Sequence, residues 1–183
     1  MTEQVQPTAY TGVAKALHWL IVGLVLIQYF TKLASPASFA GVSEAGLNAW
    51  HLAVGPTILL LMLVRLGWRL THRPPPAPAD LAPALRLLSR ATHWAFYALL
   101  IVLPVLGWLS ASGYGVPATL LGLVKLPVLT GAGKGIGEAW GDLHGFVAWV
   151  VLALIGLHVA GAIYHGLAKE DGVFARMLPF GRP

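Results

Sequence analysis

Seven histidines are the residues of this chain best able to do chemistry: His18, His51, His72, His93, His144, His158 and His165. All but His72 fall within long apolar runs or at their ends. An imidazole carried into such a run is expensive unless something uses it, so function is the default reading for a set of them. His144 and His158 stand 14 residues apart on one run. At ~100° and ~1.5 Å per helical residue they share one helix face to within about 40° and lie about 21 Å apart. One helix therefore offers a ligand near each of its ends.

Four runs must position these side chains: about 16–31, 47–66, 92–111 and 143–167. Each approaches the ~20 residues that a bilayer demands. Aromatic residues mark their ends: Trp19, Tyr29, Trp50, Trp68, Trp94, Trp108, Trp140 and Tyr164. The composition agrees, at 57% hydrophobic and only 10% charged. Soluble domains carry about 25% charged residues, which argues against a water-soluble bundle. The expected fold is all-α, a single integral membrane four-helix bundle filling residues 1–183. Ser35-Pro36-Ala37-Ser38 could serve as a cleavage region if the first run were a signal peptide. Glu3 is the only charge before Lys15, so the run lacks the basic start of such a peptide and is expected to be a retained helix.

The net charge of +5 is explained by topology and calls for no nucleic acid. A cytoplasmic proline-rich loop is expected over residues 69–90 and an outer loop, with room for a short helix, over 112–142. Lys15, Arg65, Arg69, Arg73, Arg86, Arg90, Lys169, Arg176 and Arg182 then share one side, against Lys32, Lys125 and Lys134 on the other. The positive-inside rule puts both termini in the cytoplasm.

In that topology His51 and His144 both begin helices entering from outside, and they form an outer pair. His158 lies on the inner level, with either His18 or His93 as its partner; spacing alone leaves these two open. Opposed imidazoles on facing helices suit six-coordinate haem iron, whose filled axial positions leave one-electron transfer as the task. Zinc wants three or four clustered protein ligands, which separated pairs do not supply. The absence of cysteine excludes iron–sulfur clusters, thiolate ligation and covalent c-type haem attachment. Gly23, Gly55, Gly145, Gly156 and Gly161 would let a flat macrocycle approach the backbone, or simply let helices pack closely.

From Tyr10 to Pro179 the chain resembles the bacterial cytochrome b561 family of small four-helix dihaem proteins. The resemblance is carried first by Leu17-His18-Trp19-Leu20, Trp50-His51-Leu52-Ala53-Val54-Gly55 and Arg65-Leu66-Gly67-Trp68-Arg69 with Arg73-Pro74-Pro75-Pro76. It continues through His93-Trp94, Leu103-Pro104-Val105-Leu106-Gly107-Trp108-Leu109 and His144-Gly145. It ends on His158, His165, Asp171-Gly172 and Arg176-Met177-Leu178-Pro179. The resemblance implies two haem b groups with His18, His51, His144 and His158 as axial ligands, so His18 in place of His93. It also implies a multi-pass protein of the bacterial inner membrane, passing electrons to ubiquinone; one branch of the family takes them from superoxide at the outer face.

Further residues acquire candidate roles within that frame. His165, with Lys169 and Asp171, is a candidate quinone site, and His93 is a second. Arg65 and Arg69 are candidate partners for haem propionates. Lys125 and Lys134, with Lys32, could steer an anionic donor, although Glu44, Glu138 and Asp142 cancel their charge on that side. Two other readings compete: the haem b subunit of a larger dehydrogenase or hydrogenase, with a docked protein donor, and a non-redox transporter. The transporter would need polar residues along its spans, which offer chiefly Gln28, Thr57, Thr92 and Ser110.

Overall fold

A computed structural model of the chain describes residues 9–34 and 46–180. Glu3, Glu44, Arg182 and the segment Ser35-Pro36-Ala37-Ser38 lie outside the described residues. Four long helices dominate: α1 (Gly12–Leu33), α2 (Leu47–Thr71), α3 (Pro83–Gly113) and α4 (Lys134–Ile163). A π turn, Tyr164–Lys169, prolongs α4, and a 3₁₀ turn, Ala175–Met177, follows.

The helices outrun the apolar stretches that announce them. α2 continues to Thr71, α3 begins at Pro83 and α4 begins at Lys134. The loop expected at 69–90 shrinks accordingly to the residues between Thr71 and Pro83. Pro83 is the reason on one side: at the first helical position its missing N–H costs nothing and its fixed φ suits the helix. The Arg86 guanidinium then ties that turn to the loop by donating to the carbonyls of Pro78 (3.2 Å), Ala79 (3.3 Å) and Leu81 (3.4 Å). At the other end of the bundle, the short helix expected within 112–142 is replaced by an antiparallel pair, β1 (Thr119–Leu120) and β2 (Val124–Lys125). Apart from that pair the described fold is all-α, as expected.

α1 packs along α2, α2 along α3, and α3 along α4. α1 and α4 meet through side chains, with the Tyr29 hydroxyl donating to the Ala148 carbonyl at 2.6 Å. The start of α1, the proline-rich loop and the C-terminal tail share one end of the bundle, here the termini end. Trp19 Nε1 donates to Met177 O (2.9 Å) and Arg176 Nη1 to Pro76 O (2.8 Å). The opposite, loop end carries the β pair.

The core is a layer of Ile21, Val25, Val54, Ile58, Met62, Leu100 and Val151. Large apolar side chains also cover the outside, including Leu26, Phe30, Phe146, Trp149 and Val159. A surface as greasy as its own core belongs in hydrocarbon. All four helices are long and apolar enough to cross a bilayer.

Candidate functional site

Two pairs of imidazoles face each other across the bundle. At the loop end, the His51 ring on α2 and the His144 ring on α4 have centroids 6.1 Å apart, their planes 74° from each other. At the termini end, the His18 ring on α1 and the His158 ring on α4 stand 6.2 Å apart, also at 74°. Val151, fully buried, lies midway between His144 and His158 along α4. The apolar layer thus separates the pairs.

Fixed acceptors set the tautomers of the loop-end pair. His144 Nδ1 lies 2.9 Å from Leu103 O. A carbonyl can only accept, so Nδ1 carries the proton and Nε2 keeps its lone pair. His51 Nδ1 lies 3.3 Å from Thr31 Oγ1. That hydroxyl donates its own proton to Gln28 O at 2.9 Å, so it accepts from His51. Gln28 Nε2 in turn donates to His51 O at 3.1 Å. Gly55 leaves room for that amide, since a Cβ there would stand 3.3 Å from Gln28 Nε2. Gly107 is the tighter case: its Cβ would stand 3.0 Å from His144 Cε1. A side chain at 107 would press on this ring, so the glycine gives α3 its close approach.

The termini-end pair is built differently. Aromatic rings surround it: Trp19 meets His18 edge-on at 5.4 Å, and Phe96 meets His158 at 5.5 Å. His93 is drawn in as well, its ring 5.5 Å from His158 at 89°, with Nδ1 donating to Ser89 O at 2.6 Å. Both residues that the spacing left open as partners of His158 are therefore beside it. They differ in geometry: the His18–His158 arrangement repeats the loop-end pair, and the His93–His158 arrangement does not.

Arg65, Arg69 and His93 line a cleft of ≈ 50 Å³ at this end, together with Tyr10, Trp68 and His72. Arg65 Nη1 donates to Ala14 O at 3.4 Å. Trp68 stacks on His72, with centroids 3.7 Å apart and planes at 5°, and its Nε1 donates to Thr11 Oγ1 at 3.0 Å.

Of the trio His165, Lys169 and Asp171, the structure brings two together. His165 Nδ1 lies 2.7 Å from Asp171 Oδ2. Lys169 turns instead to Asp80 of the proline-rich loop, at 3.5 Å. Burial by itself would raise the Asp171 carboxyl. Hydrogen bonds from His165 and from the Val173 N–H outweigh it and hold the group below its ordinary value of 3.8. At the loop end Lys134 pairs with Glu138 at 3.7 Å, and Lys125 ends β2, exposed.

The paired imidazoles fit a haem iron as a donor set. Metal–nitrogen bonds of about 2 Å put two opposed ring centroids roughly 6 Å apart, the separation seen in both pairs. The Nδ1 bonds of His51 and His144 leave Nε2 available, the usual outer support of a ligating histidine. Sequence reasoning missed Thr31, the Leu103 carbonyl and the role of Gly107. Thr31 gave some signal as a hydroxyl at the end of an apolar run. The other two are a backbone atom and a missing side chain, and neither carries a chemical signature.

Four apolar helices with histidines paired at both ends define a class, the membrane-spanning b-type cytochromes. The particular family follows from comparison with known proteins. Residues 9–180 match the family model of prokaryotic cytochrome b561, and the chain belongs to that family. It is 26% identical over 179 residues to cytochrome b561 homolog 2 of Escherichia coli (strain K12), covering 94% of this chain and 92% of that protein. It is 27% identical over 182 residues to cytochrome b562 of Cereibacter sphaeroides, covering 94% of this chain and 97% of the other. The protein is a multi-pass membrane cytochrome of the b561 type, a family that binds haem b. Membership implies haem-mediated electron transfer across the membrane.

Proposed function

We propose that this cytochrome holds two haem b groups and carries single electrons from a donor at the loop end to ubiquinone at the termini end. His51 and His144 hold one haem, His18 and His158 the other. The observation that carries this reading is the repetition of one geometry, 6.1 Å and 6.2 Å at 74°, near both ends of the same helix. Bound haem b supplies a one-electron iron couple at each pair.

The chain's own residues do the rest. Leu103 O and Thr31 Oγ1 orient the loop-end rings with Nε2 turned to bind. Trp19, Phe96 and His93 wall in the termini-end pair. Arg65 and Arg69 offer guanidinium groups for propionate carboxylates from the cleft they line. The core between the pairs excludes water, so charge crosses only by way of the two sites. His165 is the proton-exchanging group for the quinone head group. Asp171 fixes its Nδ1–H and leaves Nε2 to deliver or take a proton, while Lys169, held by Asp80, adds positive charge on the same turn. His93, in the arginine-lined cleft, is the second position from which a quinone can be reached.

The protein sits in the bacterial inner membrane with both termini cytoplasmic, a reading that the basic residues of the termini end support. The donor is then a one-electron reductant on the outer side. Superoxide is the small-molecule donor implied by the family resemblance: it loses one electron to become dioxygen, and two such electrons with two protons reduce the quinone. A reduced-minus-oxidised spectrum with haem quantification tests the centre of this proposal, two haems per chain being the expected value. One haem per chain, or none, overturns it. Superoxide-driven ubiquinone reduction in vesicles tests the substrates separately, since absence of stimulation removes superoxide and leaves the haem sites standing.

A further inference from the structure

Between α3 and α4 the chain does not cross the end of the bundle directly. It turns back along the side of α2. Levels can be read from hydrogen bonds. Gly133 N donates to Gly113 O (2.9 Å), and Leu126 N to Ala118 O (2.9 Å). Leu129 N donates to Ser112 Oγ (3.1 Å) and Trp108 Nε1 to Pro127 O (2.9 Å). The turn of the hairpin lies farthest from the loop end, where Leu121 N donates to Thr57 Oγ1 at 3.2 Å. Gly122 reaches Ala53, its Cβ position 3.9 Å from the alanine methyl. Thr57 is two helical turns beyond Trp50 on α2, so the tip lies ~10 Å below that interfacial tryptophan.

The tip is also apolar where hairpins in water are polar. Leu121 and Gly122 both have positive φ, 56° and 71°, the backbone of a turn that ordinarily selects Asn-Gly or Asp-Gly. A leucine accepts strain in the left-handed region here. Leu121 (60% exposed), Leu123 (83%) and Val124 (57%) point away from the protein. They continue the apolar outer surface of α2, where Leu60, Leu63 and Val64 are exposed in the same way. Two of the tip's three N–H groups are satisfied within the protein: Leu123 N donates to Leu120 O at 3.0 Å and Leu121 N to Thr57 Oγ1, and the strands pair Thr119 with Lys125 and Leu120 with Val124. Backbone at membrane depth is tolerated when it is satisfied in this manner.

We propose that the hairpin 118–126 is a re-entrant element immersed among the acyl chains of the leaflet at the loop end, with Leu121, Leu123 and Val124 as its lipid-contacting residues. The partner of this surface is lipid. Lys125 lies on the ascending strand, one pair above Val124, and its long stem lets the ammonium snorkel to the lipid phosphates. Thr57 is the anchor that holds the tip to α2. The proposal stands apart from the haem assignment, since it uses only the spans and the hairpin.

The chain contains no cysteine, so one introduced thiol carries a unique probe. Leu123→Cys and, as a control in the stretch leading into α4, Ala132→Cys are labelled with an environment-sensitive fluorophore. The full-length holoprotein is then placed in phosphatidylcholine–phosphatidylglycerol vesicles with acyl-chain-brominated lipid. Both positions are exposed, so neither change burdens folding. The label at 123 is expected to be quenched severalfold more by bromolipid than the label at 132, and severalfold less by iodide in the water. Equal iodide quenching at the two positions overturns the proposal and puts the hairpin in water. Protection of 123 from both quenchers also overturns it, because protein then covers the tip; self-cross-linking of Leu123→Cys identifies that cover as a second copy.

Discussion

The two histidine pairs share one spacing and one angle, yet their surroundings differ in kind. At the loop end each imidazole is held by a hydrogen bond, to Leu103 O and to Thr31 Oγ1, and Gly107 shapes the wall beside it. At the termini end the holders are aromatic edges, a third histidine and a cleft bearing Arg65 and Arg69. Hydrogen-bonded imidazoles have a fixed direction and tautomer. Rings packed among other rings keep their position but depend less on any single polar partner. The first arrangement suits a site that must stay rigid, and the second sets its rings beside an arginine-lined cleft.

The largest effect expected from breaking the comparison is loss of one site at a time. His144→Ala should remove the loop-end haem and leave about half of the haem absorbance, and His158→Ala should do the same for the other site. Haem quantification and low-temperature spectra of the purified variants would decide. Equal loss of all haem from both variants would show that the sites do not form independently.

The contest between His18 and His93 is next in size. His18→Ala is expected to halve the haem content, whereas His93→Ala should keep both haems and shift only the termini-end band. The reverse pattern would move the ligand role to His93.

Gly107→Ala should act on the loop end alone. Alanine favours a helix interior over glycine by about 1 kcal/mol. Its methyl, however, would stand 3.0 Å from His144 Cε1, and the ring must give by a few tenths of an ångström against its bond to the Leu103 carbonyl. Haem retention at that site on dilution should fall while the helix content is unchanged. Thr31→Val removes the acceptor of His51 at nearly constant volume. Loss of such an outer partner costs about 10–100-fold in metal affinity, and the 3.3 Å length of this bond points to the lower figure.

The smallest effect concerns the tail. A carboxyl held below its ordinary value stabilises the fold above pH 3.8, and this contribution is lost as pH falls through the depressed value. The His165–Asp171 contact should therefore survive mild acid, with proteolytic protection of residues 171–178 failing only below that range. In Asp171→Asn the protection should be weaker at neutral pH and no longer follow this titration.

Much of this was legible in the sequence for a simple physical reason: a bilayer forces long apolar runs, and a helix makes spacing into direction. Those two facts identified the four spans and set His51 opposite His144. They could not choose between His18 and His93, because both lie on the same level and both approach His158. The starts of α3 and α4 were missed because water-exposed helix carries arginine, glycine and proline without an apolar signature. The hairpin was hidden for the opposite reason: an apolar loop flanked by apolar helices has no contrast. Lys169 stands close to His165 in the chain, whereas its partner, Asp80, comes from a segment remote in sequence.

The tail bears on how the bundle is assembled. Trp19 on the first helix is bonded to Met177, and Arg176 to Pro76. During synthesis, residues 176 and 177 emerge after every helix is made. Until then the first helix is packed along the second without this tie, and the seam that brings His18 to His158 lacks its clasp. Closure of the seam thus depends on chain made after the fourth helix, and a prosthetic group entering between α1 and α4 would find its doorway open until that clasp forms.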